Sequence, residues 1–125
     1  MDLFQEYNYV GHAGGNLTWK IECDAITDAE WRVLATVLLQ YEKRPYRVAV
    51  GIPRGATTLG NILNEFATGE PQHPVLVVDD VYTTGTSFRE FKAKHYKDEH
   101  IIQWVIFARK PTTNDINALF TMPPE

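Results

Sequence analysis

A single cysteine, Cys23, leaves this chain no internal disulfide. That fits a reducing compartment, and a cytoplasmic location is the expectation. No apolar run reaches the roughly 18 residues that a membrane span needs. Met1 to Tyr9 carries two acids and no base, unlike a secretion signal. Positive charge is scarce as well: 12 Lys and Arg face 16 Asp and Glu, a formal net charge of -4. Direct nucleic-acid binding would need a local basic patch to overcome that sign and is not expected. The histidines are scattered and form no zinc spacing with Cys23. No internal repeat, no low-complexity segment, no P-loop string and no assignable Ser-His-Asp set is present.

What is there is a chain of 125 residues, 44% hydrophobic and 22% charged. That composition predicts one folded domain over 1–125, with an N-terminal arm and loop over 1–15 and a C-terminal tail over 110–125. A domain this small gains from pairing with a second copy, so a homodimer is expected. Leu17, Trp19, Ile21 and Cys23 alternate with polar residues, which predicts a strand suited to a sheet edge. Thr27 and Glu30 form a capping box, and Trp31, Leu34, Ala35 and Leu38 follow at helical spacing, so a helix is expected from Asp28 to about Glu42.

Tyr46 to Ile52 reads as a buried strand, followed by the loop Pro53-Arg54-Gly55 and a helical stripe of Leu59, Ile62, Leu63 and Phe66. Val75 to Val78 is apolar on both faces, as a central parallel strand requires. A helix is expected from about Ser87 to His95, with Glu90 closing a capping box on Ser87. Ile101 to Ala108 is a further strand, and after Pro111 a loop leads to a short hydrophobic terminus. Alternating strands and helices predict an α/β fold: an open, mostly parallel twisted sheet, right-handed crossovers and helices on both faces. Ligands of such folds lie beyond the C-terminal strand ends, where both polar loops fall.

The richer loop follows the Val75 strand. Asp79 and Asp80 are costly to desolvate alone, so they ask for a Mg2+ ion or for the hydroxyls of a polyol. Thr83, Thr84, Gly85, Thr86 and Ser87 form a run of small donors entering a helix, a setting for a nest of backbone N–H groups around a phosphate. The bland alternative is an Asx turn and an ordinary helix cap. Pro53-Arg54-Gly55, read alone, is more often a structural turn.

The whole string from Val75 to Ser87 resembles the phosphoribosyl-pyrophosphate motif of the type I phosphoribosyltransferases. Val50 to Ala56 resembles the pyrophosphate loop of the same family, whose loops often hold a strained or cis peptide. Gly14 to Glu22 is similar to the opening of the orotate-type members. The resemblance implies that Asp79 and Asp80 hold the ribose hydroxyls, with Mg2+ as cofactor carried through the ligand and these acids. It implies that Thr83, Thr84, Gly85, Thr86 and Ser87 cradle the 5-phosphate, and that Pro53, Arg54 and Gly55 meet the pyrophosphate. Asp79, Asp80 and Arg54 then become the catalytic set. Lys20 and Arg109 are candidates for contact with the base or substrate, with plain solvated positions as the alternative. His12 reads as a surface histidine.

The chain departs from the family pattern in one respect. Active members insert a long mobile hood loop before the acidic-motif strand, and in orotate-type enzymes it brings catalytic Lys or Arg. Here the segment from Phe66 to Val75 is short and contains neither. The leading expectation is Mg-dependent transfer of a phosphoribosyl group from phosphoribosyl pyrophosphate to a nucleobase-like acceptor. The alternatives are a nonenzymatic module that binds phosphoribosyl ligands or nucleotides, and a structural protein with a degenerate site.

Overall fold

The structure is a computed structural model that describes residues 23–122 and two N-terminal strands, Phe4–Asn8 (β1) and Leu17–Ile21 (β2). The two pair antiparallel, with Phe4 opposite Ile21 and Asn8 opposite Leu17. They form a separate two-stranded ribbon. The alternating segment is therefore a strand, but its partner is β1 and not the main sheet. The expected arm and loop over 1–15 contains β1. Cys23 falls in a short 3-10 turn, Cys23–Ala25, beyond the strand.

Helix α1, Asp28–Tyr41, starts where its cap demands. The Thr27 hydroxyl accepts from the Glu30 N–H at 3.2 Å, and the Glu30 carboxylate accepts from the Thr27 N–H at 2.9 Å. Strand β3, Val48–Gly51, leads into α2, Thr57–Asn64. Phe66 lies past the end of α2 and is exposed, so it does not extend the helical stripe. Strand β4, Val75–Tyr82, is followed by α3, Thr86–His95, then β5, Ile101–Ala108, and β6, Asn117–Thr121. The last four strands form one parallel sheet in the order β3-β4-β5-β6. The α/β, mostly parallel architecture with helices on both faces is as the alternation predicts.

The expected end of the central strand at Val78 is too early. Pairing with β5 continues through Asp79 opposite Val105 to Tyr82 opposite Ala108, so both acids lie within β4. The Ser87–Glu90 capping box does not form either. Gly85 is the N-cap, left-handed at φ 82, with no side-chain cap. The tail adds a strand: β6 pairs parallel to β5, Trp104 opposite Asn117. The link that returns it, Arg109 to Ile116, contains no helix.

Side chains divide between two cores. On one face α1 and α2 pack Leu34, Leu38, Leu59 and Leu63 onto Leu76, Val78, Ile102 and Ile106. On the other, Phe88 and Phe91 of α3 cover Val75, Val77, Ile101 and Val105. The steps β3 to β4 and β4 to β5 go the same way across the sheet, yet α2 and α3 lie on opposite faces. The two crossovers therefore have opposite hands, so one departs from the right-handed rule expected of both. The path after α2 gives the reason. It runs back beside the entry to β3, where the N–H groups of Thr68 and Gly69 donate to the carbonyls of Tyr46 and Arg47 at 2.8 and 3.1 Å. The short segment expected in place of a hood loop is thus used up in returning the chain past the start of β3.

Two buried polar side chains pin this frame. The Tyr46 hydroxyl donates to the Leu63 carbonyl at 2.7 Å, tying β3's entry to the end of α2. Burial pushes its pKa up to about 12. Glu42, the C-cap of α1, accepts from the Trp104 indole at 3.0 Å and from Arg44 at 2.7 and 3.0 Å. No described helix is long and apolar enough to cross a membrane.

Candidate active site

The site lies at the C-terminal ends of β3 and β4, built from three short pieces. The first is the loop after β3. Pro53, Arg54 and Gly55 are exposed there, and the Pro53–Arg54 peptide bond is cis. An X-Pro cis bond at Ile52–Pro53 would have been the ordinary choice. The loop is anchored at both ends: the Ile52 N–H donates to the Val78 carbonyl at 2.9 Å, and the Ala56 N–H to the Ile52 carbonyl at 3.2 Å.

The second piece is the acidic pair. Asp79 is buried and Asp80 half-buried. Each carboxylate accepts from the next N–H: Asp80 N–H to Asp79 Oδ1 at 2.9 Å, and Val81 N–H to Asp80 Oδ1 at 2.8 Å. The two face different loops. A Cβ placed on Gly55 would run into the Asp80 carboxylate, so only glycine lets the loop come this close. Asp79 instead lines a small cleft of about 20 Å³ with Thr83, Gly85, Thr86 and Ser87. Burial first, and then the neighbouring Asp80 carboxylate, push the Asp79 carboxyl up to about 8.

The third piece is the turn Thr83 to Ser87. Gly85 sits between the Tyr82 ring and the Arg89 guanidinium: a Cβ there would lie 3.0 Å from Tyr82 Cε2 and 3.1 Å from Arg89 Nη1. The Thr84 and Thr86 hydroxyls are 2.8 Å apart. In the first turn of α3, the N–H groups of Ser87 and Phe88 meet no acceptor among the described residues, as expected at a helix start. Donors and the positive end of the helix dipole thus face the cleft that Asp79 lines.

The structure brings together Pro53, Arg54, Gly55, Asp79, Asp80 and the Thr83 to Ser87 turn. Arg109 follows β5 at the same end of the sheet, and its N–H donates to the Tyr82 carbonyl at 2.9 Å. Lys20 lies on β2 opposite Gln5, and its side chain, like His12 and Gly14, falls outside the described residues. Arg89 was missed by the sequence reading. Its place one helical turn after Gly85 was the available signal. As to metal, two carboxylates and nearby hydroxyls are hard oxygen donors that suit Mg2+. No group of three or more metal-ligating side chains exists among the described residues. A Mg2+ ion here would take much of its coordination from a ligand's own oxygens.

No protein-family model and no curated protein matches the sequence. Solved structures do. Orotate phosphoribosyltransferase from Aeropyrum pernix superposes with a TM-score of 0.70 at 16% identity, over 96% of this chain and 88% of that one. Leishmania donovani UMP synthase gives a TM-score of 0.68 at 16% identity, over 96% of this chain. The present chain spans 34% of that larger protein. Together with the order of strands, loops and acids described above, these superpositions establish that the chain has the type I phosphoribosyltransferase fold, without the long hood loop.

Proposed function

We propose that this chain is a phosphoribosyltransferase, moving a phosphoribosyl group from phosphoribosyl pyrophosphate to a nucleobase-like acceptor. One observation carries the reading: the acidic pair bridges two loops, Asp80 against Gly55 and Asp79 in the cleft of the Thr83 to Ser87 turn. A ligand with a phosphate at one end, a diol in the middle and a pyrophosphate at the other matches that order. The turn's amides and hydroxyls bind the 5-phosphate. Asp79 and Asp80 hydrogen-bond the ribose hydroxyls, and carboxylate charge at this pair offsets the positive charge that develops on the ring. Arg54 and the amides around Gly55 take the pyrophosphate, which leaves with the electron pair of its bond to C1 as a base nitrogen bonds to C1 from the opposite face. Mg2+, when bound, supplies charge neutralisation on the pyrophosphate oxygens. Lys20 and Arg109 are proposed to contact the acceptor.

A second reading is favoured by one feature. The segment after α2 bonds beside the entry to β3 and brings no Lys or Arg over the site, so nothing from it excludes water during transfer. A module that binds the same ligand without turnover fits that feature. One assay separates the two. Purified protein, Mg2+ and phosphoribosyl pyrophosphate are incubated with a panel of nucleobases, and pyrophosphate release is measured. Release that depends on one base supports the transferase. Saturable binding with no base-dependent release supports the module, and absence of binding overturns both.

A further inference from the structure

Arg89 stands one turn into α3, exposed, with its guanidinium folded back over the turn that precedes the helix. Nη1 donates to the Thr84 carbonyl at 3.1 Å and Nη2 to the Thr86 hydroxyl at 3.1 Å. The fork thus spans Gly85, from the residue before it to the residue after it. Thr86 Oγ1 is also 2.8 Å from Thr84 Oγ1, so both threonines are held by one small network. Tyr82 closes the other side of Gly85. No described carboxylate pairs with Arg89, whereas Arg32, Arg44 and Arg47 all have acidic partners. A surface arginine with no acidic partner among the described residues, and with both ends of its fork on a five-residue turn, spends its order on the shape and charge of that turn.

We propose that Arg89 is a positioning residue for the 5-phosphate. It bridges the Thr84 carbonyl and the Thr86 hydroxyl, fixing the turn so that its amides and hydroxyls converge on a phosphate, and it adds a fixed positive charge beside them. The inference rests on the reading of this turn as the phosphate subsite. Bridging needs the planar fork, since a lysine ammonium at the end of a flexible stem does not hold both oxygens in one geometry. The loop after β3 holds Gly55 against Asp80, and neither hydrogen bond of the Arg89 guanidinium goes to it.

Calorimetric titration of the full chain tests this with three probes in Mg2+ buffer: phosphoribosyl pyrophosphate, ribose 5-phosphate and inorganic pyrophosphate. Arg89→Gln is expected to weaken the two 5-phosphate ligands about tenfold and to leave pyrophosphate binding unchanged. Arg89→Lys, which keeps the charge, is expected to recover only a minor part of the loss. Unchanged ribose 5-phosphate binding in Arg89→Gln overturns the proposal, as does an equal loss for all three probes, which marks a general structural effect. Full recovery by Arg89→Lys overturns the bridging role. If the wild-type chain binds none of the probes, the reading of the whole site fails and this inference with it. If it binds them and the variants bind equally, only the inference about Arg89 fails.

Discussion

Gly55 and Asp80 are in contact across the mouth of the sheet: the loop after β3 rests its backbone on the carboxylate near the end of β4. The acid pair and the loop after β3 are therefore one unit. A methyl group at position 55 has to displace either the carboxylate or the loop. Gly55→Ala is expected to weaken Mg2+–phosphoribosyl pyrophosphate binding about tenfold or more, because displacing a positioned group by an ångström costs on that scale. The loop is exposed, so the melting temperature should barely change. Calorimetry with thermal melts reads both. Wild-type affinity in the variant would show that the contact does not matter to the ligand.

A second contact closes part of the outer edge of β3. The Asn64 side chain, at the end of α2, accepts the Ala49 N–H at 3.0 Å, filling a ladder position on the outer edge of β3. Asn64→Ala leaves that donor without its partner. The expected cost is about 1–2 kcal/mol of unfolding free energy, read by urea denaturation, with the slope of the transition unchanged. A loss below about 0.3 kcal/mol would mean that water replaces the side chain without penalty.

Much of this frame was legible in the sequence, and the parts that were not share a cause. The Thr27–Glu30 cap, the α1 stripe and β5 depend on neighbours along the chain, and local pattern found them. The acids and the Thr-Thr-Gly turn were also legible, because their chemistry is compressed into one string. The extension of β4 through Asp79 and Asp80 was not, since two acids end an apolar run while pairing with Val105 and Phe107 carries the strand on. Ser87 and Glu90 had the spacing of a cap, but the left-handed Gly85 starts α3 one residue earlier. Strand β6 has weak alternation and is held by register with β5 alone, and the contact of Phe120 on Phe107 at 5.7 Å is visible only in three dimensions. The meeting of Gly55 with Asp80 is likewise a product of the β3–β4 pairing.

Glu42 offers a test of the core under α1. Burial works to raise its carboxyl, but hydrogen bonds from Arg44 and Trp104 outweigh it and hold the group below the usual carboxylate range. Arg44 is half exposed, so the ion pair itself contributes little. Most of the value lies in the acceptor given to the buried Trp104 indole. Glu42→Ala should cost about 2 kcal/mol and Glu42→Gln about half that, since Gln keeps an oxygen for the indole. An acid with a lowered folded value contributes stability above its ordinary pKa and loses it as pH falls through the folded one. Wild type should therefore lose more stability than Glu42→Gln on acidification from about pH 6 to about pH 3. Parallel pH profiles of the two would count against this account.

Asp79 carries the opposite sign. Its carboxyl, ordinarily near 4, is raised to about 8 by burial and by Asp80. Between those values the folded chain holds a proton that the unfolded chain has released, so stability falls as pH rises through the window. Asp79→Asn keeps the shape and the acceptor oxygen for the Asp80 N–H while removing the ionisation. In EDTA buffer the variant should match wild type near pH 4 and melt several degrees higher near pH 8, with the gap widening between. The same substitution should abolish saturable binding of phosphoribosyl pyrophosphate, because an amide, unlike a carboxyl that gives up its proton on binding, cannot offer a charged acceptor to a ribose hydroxyl. A site that costs the empty fold stability and is retained for its ligand predicts both results together. Melting curves that separate in the reverse order with rising pH would show that the Asp79 carboxylate is already stabilised within the fold.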